Sequence, residues 1–218
     1  MNKVIRVLLI IFVISIIIIL LIMNKFNMLP QKSYSASDFN ITVIKSDNDF
    51  DLDGIDDYTD ILQGAKIEAN NKPKYKSAYY NGGYPPEDEG VCTDVIWRAL
   101  KNAGYDLKEL VDTDIKENIK LYTGIDKADP NIDFRRVKNL KVYFDNNCNV
   151  LTNDPYDIVQ WMPGDIVIFG VTHIAIISDK RNKQGIPYVI HNASRPNRDE
   201  DALIYWYSSR NITGHYRL

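Results

Sequence analysis

The sequence predicts an α+β domain set behind one apolar N-terminal helix. Three observations carry that expectation: an uncharged apolar stretch at residues 7–23, helical periodicity through the first half of the remaining chain, and short β-type runs after residue 164. The 218 residues suffice for one ordinary domain plus a tail, since single domains commonly hold about 100 to 200 residues. Residues 1–25 are read as a membrane anchor, 26–45 as a linker and 46–218 as the globular part.

In the first element only Ser15 interrupts the apolar run from Val7 to Met23. A helix of roughly 17 to 25 such residues crosses a bilayer core of about 30 Å. The rival reading, a cleaved secretory signal, usually has an apolar region of about 7 to 15 residues and a small-residue cleavage site. Leu21-Ile22-Met23-Asn24-Lys25 offers no such site. Lys3 and Arg6 precede the span and Lys25 follows it, so the positive-inside rule leans toward a cytoplasmic N-terminus and an extracytoplasmic domain in a single-pass membrane protein.

Beyond the polar residues 24–37, Ile61, Leu62, Ala65 and Ile67 recur at helical spacing within residues 59–70. A loop rich in Tyr, Gly and Pro runs to Gly90. Residues 91–103 then form an amphipathic pattern with Val95, Ile96, Ala99, Leu100 and Ala103 on one side, stopped by Gly104. A third helix is expected over 107–122. Asp129-Pro130 breaks the chain, and 137–144 fits a helix or a strand equally. The runs 165–169, 174–178, 188–191, 203–207 and 213–217 read as a meander of strands, which places the helices on an antiparallel sheet.

The formal charge of −3 and the lack of a dense Lys/Arg stripe argue against a nucleic-acid partner. Two cysteines, Cys92 and Cys148, make no disulfide scaffold, although one bridge between them is open. Cys92 falls at the expected start of the 91–103 helix, where free N–H groups and the helix dipole favour a thiolate. A lone cysteine on a helix also reads as a small buried hydrophobe. Of three histidines, His173 and His191 sit at the ends of neighbouring expected strands, so antiparallel pairing would set them side by side. His173 would then serve the sulfur as base, with His191 as orienter. Asn192 is the fallback orienter; His215 and Cys148 read as bystanders.

Asp94 and Arg98 are spaced as an ion pair within one helix. Arg135 and Arg136 offer either a substrate-carboxylate clamp or a structural role. Tyr84, with Tyr79 and Tyr80, precedes the cysteine in a Gly-rich loop that would border a cleft. The acidic segment 49–60 carries Asp49, Asp51, Asp53, Asp57 and Asp60 at positions one, three, five, nine and twelve of a calcium-type loop, with Gly54 at six and the Ile55 carbonyl at seven. It departs from that pattern in Asp60 where a Glu is usual and in Asp56 at position eight. A solvated acidic turn capping the next helix explains the same residues.

Four stretches carry a resemblance. Gly90-Val91-Cys92-Thr93-Asp94 through Leu100 looks like the nucleophile helix of the NlpC-type papain-like cysteine peptidases. Trp161-Met162-Pro163-Gly164-Asp165 through Phe169, the run His173 to Asp179, and Tyr188-Val189-Ile190-His191-Asn192 resemble that group's consecutive strands. From about residue 49 to the end the chain resembles a bacterial surface family, domain-of-unknown-function family 1287, through Asp57-Tyr58-Thr59-Asp60-Ile61-Leu62, Gly82-Gly83-Tyr84, Asp129 to Asp133 with Arg135-Arg136, and Gly214-His215-Tyr216-Arg217.

The resemblance implies a papain-like core with Cys92 as nucleophile, His173 as base and His191 as third residue. Wall-cutting members usually carry Asp before and Ser after the cysteine, where this chain has Val91 and Thr93. The expectation is therefore a membrane-anchored cysteine hydrolase acting on an amide of cell-wall peptides or their precursors, needing no cofactor for catalysis and holding a structural Ca2+ at most. An acyltransferase on the same scaffold and a non-catalytic wall-binding module are the alternatives.

Overall fold

The computed structural model describes residues 2–25, 29 and 31–218; residues 26–28 and 30 of the expected linker lie outside the described residues. The chain forms two compact units, 1–32 and 33–218. The first is helix α1 (Lys3–Lys25), whose 23 residues are long and apolar enough to cross a membrane. Its one polar interruption is neutralised internally, because the Ser15 hydroxyl lies 2.9 Å from the carbonyls of both Ile11 and Phe12.

The second unit begins earlier than the sequence suggests. Tyr34 exchanges backbone hydrogen bonds with Arg181 (2.8 and 2.7 Å), and Ala36 and Ile41 are buried against Met162. Residues 33–45 are therefore part of the folded unit.

Helix α2 (Asp57–Asn71) starts where the Asp56 side chain accepts from the Thr59 N–H, and its buried residues Ile61 and Ala65 face α3 (Cys92–Asn102). Between them lies a short parallel pair, β1 (Lys74–Tyr75) and β2 (Glu89–Gly90). Helix α4 (Leu107–Asn118) and α5 (Val137–Asn147) complete the helical layer, so the ambiguous segment 137–144 is a helix with Val137, Leu140 and Phe144 inward.

The sheet has the order β3-β8-β4-β5-β6-β7, from β3 (Asn149–Val150), β4 (Ile166–Phe169), β5 (His173–Arg181), β6 (Pro187–Ile190), β7 (Asp199–Glu200) and β8 (Ile212–Arg217). Every pairing within it is antiparallel. The two-residue alternation of a strand divides its side chains between two cores. Ile166, Ile168, Ile174, Ile176 and Ile190 face the helices, while Val167, Phe169, Ala175, Ile177 and Val189 face a second core with Trp161, Leu203 and Trp206. Covering both faces makes the central strands almost wholly apolar.

That second core accounts for a departure from the expected strands. Residues 203–207, expected as a strand, form the start of helix α6 (Leu203–Arg210). The aromatic run Leu203-Ile204-Tyr205-Trp206-Tyr207 has strand-like composition, but a spacing of three sends Leu203 and Trp206 together onto the face of the sheet opposite the other helices. Coverage of that face overrides local propensity.

The turn before β4 is locked by Asp165. Its carboxylate accepts from Met162 N (2.8 Å), His215 Nε2 (2.9 Å), and Arg217 Nε and Nη2 (both 2.7 Å). His215 also stacks on Trp161 at 3.7 Å and lies 2.8 Å from the Thr152 carbonyl through Nδ1, so its role is structural. Gly164, at φ +91°, lets the turn lie against α2: a Cβ there would meet the Tyr58 carbonyl oxygen at 2.6 Å. Both strain and contact oppose a side chain. Gly164→Ala is expected to destabilise the fold by more than about 1 kcal/mol, read as a lowered denaturant midpoint at unchanged slope.

Candidate active site

Helix α3 starts at Cys92 because Val91 is extended (φ −124°, ψ −172°) and its N–H is taken by the Asp94 carboxylate at 2.7 Å. Asp94 is fully buried and serves three partners: it also accepts from Trp97 Nε1 (2.7 Å) and, bidentately, from Arg135 Nε and Nη2 (2.7 and 2.9 Å). The remaining Arg135 nitrogen donates to the Ala78 carbonyl, and the Thr93 hydroxyl donates to the Arg135 carbonyl. The guanidinium is thus occupied by the protein's own carboxylate; this corrects its reading as a substrate clamp. Arg136 is exposed at the start of α5. The expected Asp94–Arg98 pair does not form either, since Arg98 pairs with the buried Glu68 of α2.

Asn192 fastens the same helix start to the sheet. Its Nδ2 donates to the carbonyls of Gly90 (3.0 Å) and Pro73 (3.2 Å), a tethering rather than an orienting role. Tyr84 packs on Trp97 (4.7 Å) and Phe134 (5.4 Å) and donates to Asp106, so it belongs to the packing around α3.

Cys92 is 7 % exposed, and the backbone N–H groups of Ile174, Thr93 and Cys92 itself favour its charged form. Burial nevertheless dominates and pushes the thiol up to about 11. The helix-terminal placement anticipated from sequence is present, yet desolvation outweighs it and leaves a neutral thiol near neutral pH. Cys92 and Cys148 are both free, which closes the disulfide alternative.

Antiparallel β5 and β6 bring the two histidines together as diagonal neighbours: Ile190 pairs with Ile176, so His191 stands two residues off the position opposite His173, and the imidazoles meet across that offset. His173 Nε2 lies 2.6 Å from His191 Nδ1, and His191 Nε2 lies 2.9 Å from Glu200 Oε1 on β7. All three residues are buried. A carboxylate can only accept, so His191 donates through Nε2 and its Nδ1 is the acceptor. His173 must then donate through Nε2, and Nδ1 is its basic nitrogen. His173 is held well below its ordinary value by burial, then by the charges of His191, Arg210 and Arg195. Its ring lies 4.1 Å from that of Trp206, and Arg195 and Arg210 stand 5.8 and 5.1 Å from the same indole.

Glu200, Trp206, Arg195 and Arg210 carry no local signal that would have marked them as site residues. Glu200 lies on a strand of two residues, too short for periodicity to register, and Trp206 lies within the segment expected as a strand. Tyr75 of β1 is another addition: burial and then the charge of Cys92 raise its hydroxyl.

In the acidic loop, oxygens of Asp49, Asp51 and Asp53 lie within 4.8 Å of one another. Backbone N–H groups orient them: Gly54 donates to Asp49 (2.9 Å) and Ile55 to Asp53 (2.8 Å). Asp57 departs from the expected ligand set, because one oxygen accepts from Phe50 N (2.9 Å) and the other from the Tyr105 hydroxyl (2.6 Å).

A family model described as Domain of unknown function (DUF1287) matches residues 62–218. The chain belongs to this DUF1287 family. Uncharacterized protein YijF of Escherichia coli (strain K12) is 35 % identical over 170 residues, which cover 72 % of this chain and 80 % of YijF. No solved structure matches. Cys92, His173, His191 and Glu200 all fall inside the matched DUF1287 region. The acidic loop, expected to share the family's domain, precedes that region.

A histidine held neutral by its surroundings ties stability to pH. Because the folded state releases the His173 proton more readily than the unfolded chain, whose value is the ordinary 6.5, the folded form binds fewer protons below that pH. Stability should therefore fall as pH drops through about 6.5, with a limiting slope of about 1.4 kcal/mol per pH unit for this group. His173→Gln should remove that component in denaturant titrations from pH 7.5 downward; an unchanged slope would count against it.

Proposed function

We propose that this chain is a membrane-anchored, extracytoplasmic cysteine hydrolase of papain-like, NlpC-type fold that cleaves an amide bond in cell-wall (peptidoglycan) peptides. The observation that carries the reading is the buried hydrogen-bonded line from His173 through His191 to Glu200, which starts on the strand β5 that packs against α3, the helix whose first residue is Cys92. A carboxylate at the end of two linked imidazoles fixes both tautomers and aims one lone pair outward, the arrangement a general base requires.

The neutral thiol dictates the sequence of events. As Cys92 Sγ attacks the amide carbon, its proton passes to His173 Nδ1 and the carbonyl electrons move onto oxygen. The positive charge formed on His173 is stabilised through His191 by Glu200. The oxyanion is served by the Cys92 backbone N–H at the start of α3. Collapse returns the electron pair to the carbonyl, breaks the C–N bond, and His173 protonates the departing amine. Water, deprotonated by His173, then attacks the thioester carbon; the C–S bond breaks, the acid leaves, and the Cys92 sulfur takes the proton back from His173.

Arg195 and Arg210 give this reading a substrate preference. Arg210 and then Arg195 disfavour the charged form of His173; Arg195 already lies 3.7 Å from Glu200, so the cost a bound carboxylate would remove is chiefly that of Arg210. An anionic peptide therefore suits the site, as stem peptides of the wall do.

Incubating purified wall fragments with the parent protein should release new amines and carboxylates that mass spectrometry detects, while Cys92→Ala yields none. Identical product spectra from the two proteins would overturn the hydrolase reading, and a transferred rather than hydrolysed acyl group would redirect it to acyl transfer. On a cleaved peptide, Arg210→Gln should raise KM by about tenfold when a free carboxylate flanks the scissile bond and leave KM for the amidated analogue unchanged. Equal effects on both peptides would remove the preference.

A further inference from the structure

We propose that the loop of residues 49–60 is a calcium site, with Asp49, Asp51, Asp53, the Ile55 carbonyl and Asp60 as its oxygen donors. Three exposed or half-buried aspartates gathered on a turn would not by themselves make a site. What adds to them is Asp60, in the first turn of α2. It is 3 % exposed, yet its carboxylate accepts no hydrogen bond and joins no ion pair among the described residues. Burial, and then the charges of Asp53, Asp51, Asp49 and Asp57, raise its carboxyl to about 6. Among the described residues no lysine, arginine or histidine pairs with any of Asp49, Asp51, Asp53 or Asp60; the nearby Lys45 reaches Asp56 instead, at 3.9 Å.

A buried carboxylate without donors, facing three like charges, is costly unless a cation completes it. All the donors are hard oxygens on a flexible loop, and their number suits Ca2+ better than the strict octahedron of Mg2+. The neighbouring bonds show what such a site would brace. Asn102 at the end of α3 donates to the Asp60 carbonyl (3.0 Å). Tyr105 holds Asp57 and stacks on Phe50 at 4.3 Å, and Gly104 lies so close that a Cβ would meet that of Asp51 at 2.9 Å. The cation would therefore fasten the C-terminal end of the helix that carries Cys92, independently of what that cysteine does.

Calorimetry and thermal melts of the full chain in detergent, with CaCl2, MgCl2 or chelator, test this. The parent should bind calcium with a Kd on the order of 10⁻⁴ to 10⁻³ M, the range of extracellular modules, and melt higher with calcium than with chelator. Magnesium should bind more weakly. Asp53→Asn, at an exposed position, should weaken calcium by on the order of tenfold or more. Asp60→Asn discriminates further: removing an uncompensated buried charge should raise the melting temperature in chelator while weakening calcium binding. The proposal is overturned if the parent shows neither heat nor a melting shift with calcium, or if Asp60→Asn binds calcium as the parent does.

Discussion

The Asp94 carboxylate is the contact on which the site's geometry hangs. Four donors from three parts of the chain converge on it: the Val91 amide before α3, the Trp97 indole one turn later, and two nitrogens of Arg135 from the turn before α5. An ion pair of this burial is a poor source of net stability, since desolvation offsets much of its attraction. Its value lies in direction. The bidentate fork admits one orientation of the helix start relative to the segment ending at Arg135, and Asn192 fixes the same start to β6. Cys92 inherits its position from these bonds.

Two effects oppose one another at the sulfur. The helix N-terminus and three N–H groups favour a charge there, and burial disfavours it more strongly. At His173, burial and two arginines act in the same sense on an imidazolium. The pair therefore rests uncharged, and the line to Glu200 matters because it keeps one defined nitrogen basic without requiring an ion pair beforehand. Glu200 Oε1 meets both His191 and, at 3.7 Å, Arg195, while Oε2 is buried without a hydrogen-bond partner.

Much of this was legible in the sequence, for identifiable reasons. Helices α2 and α3 announce themselves through long apolar periodicity, and β4 to β6 through dense β-branched runs between turns. His173 and His191 could be paired because both end strands joined by a short connection. Helix α6 could not be read, because eight residues of aromatic and aliphatic character carry too few turns to separate three-residue from two-residue spacing. Glu200 was hidden in a strand too short to have a pattern. Arg135 was visible as a residue, but no local signal distinguishes a buried partner of Asp94, 41 positions away, from a surface clamp.

The sheet ends at both sides on strands of only two residues, Asn149–Val150 and Asp199–Glu200. An edge of that length presents few unpaired backbone groups to a second molecule. The apolar central strands, which would be hazardous if they reached an edge, are insulated by these short borders. Resistance to self-association through strand addition is thus built into the order of the strands, and would matter most for a domain crowded beside its own copies at a surface.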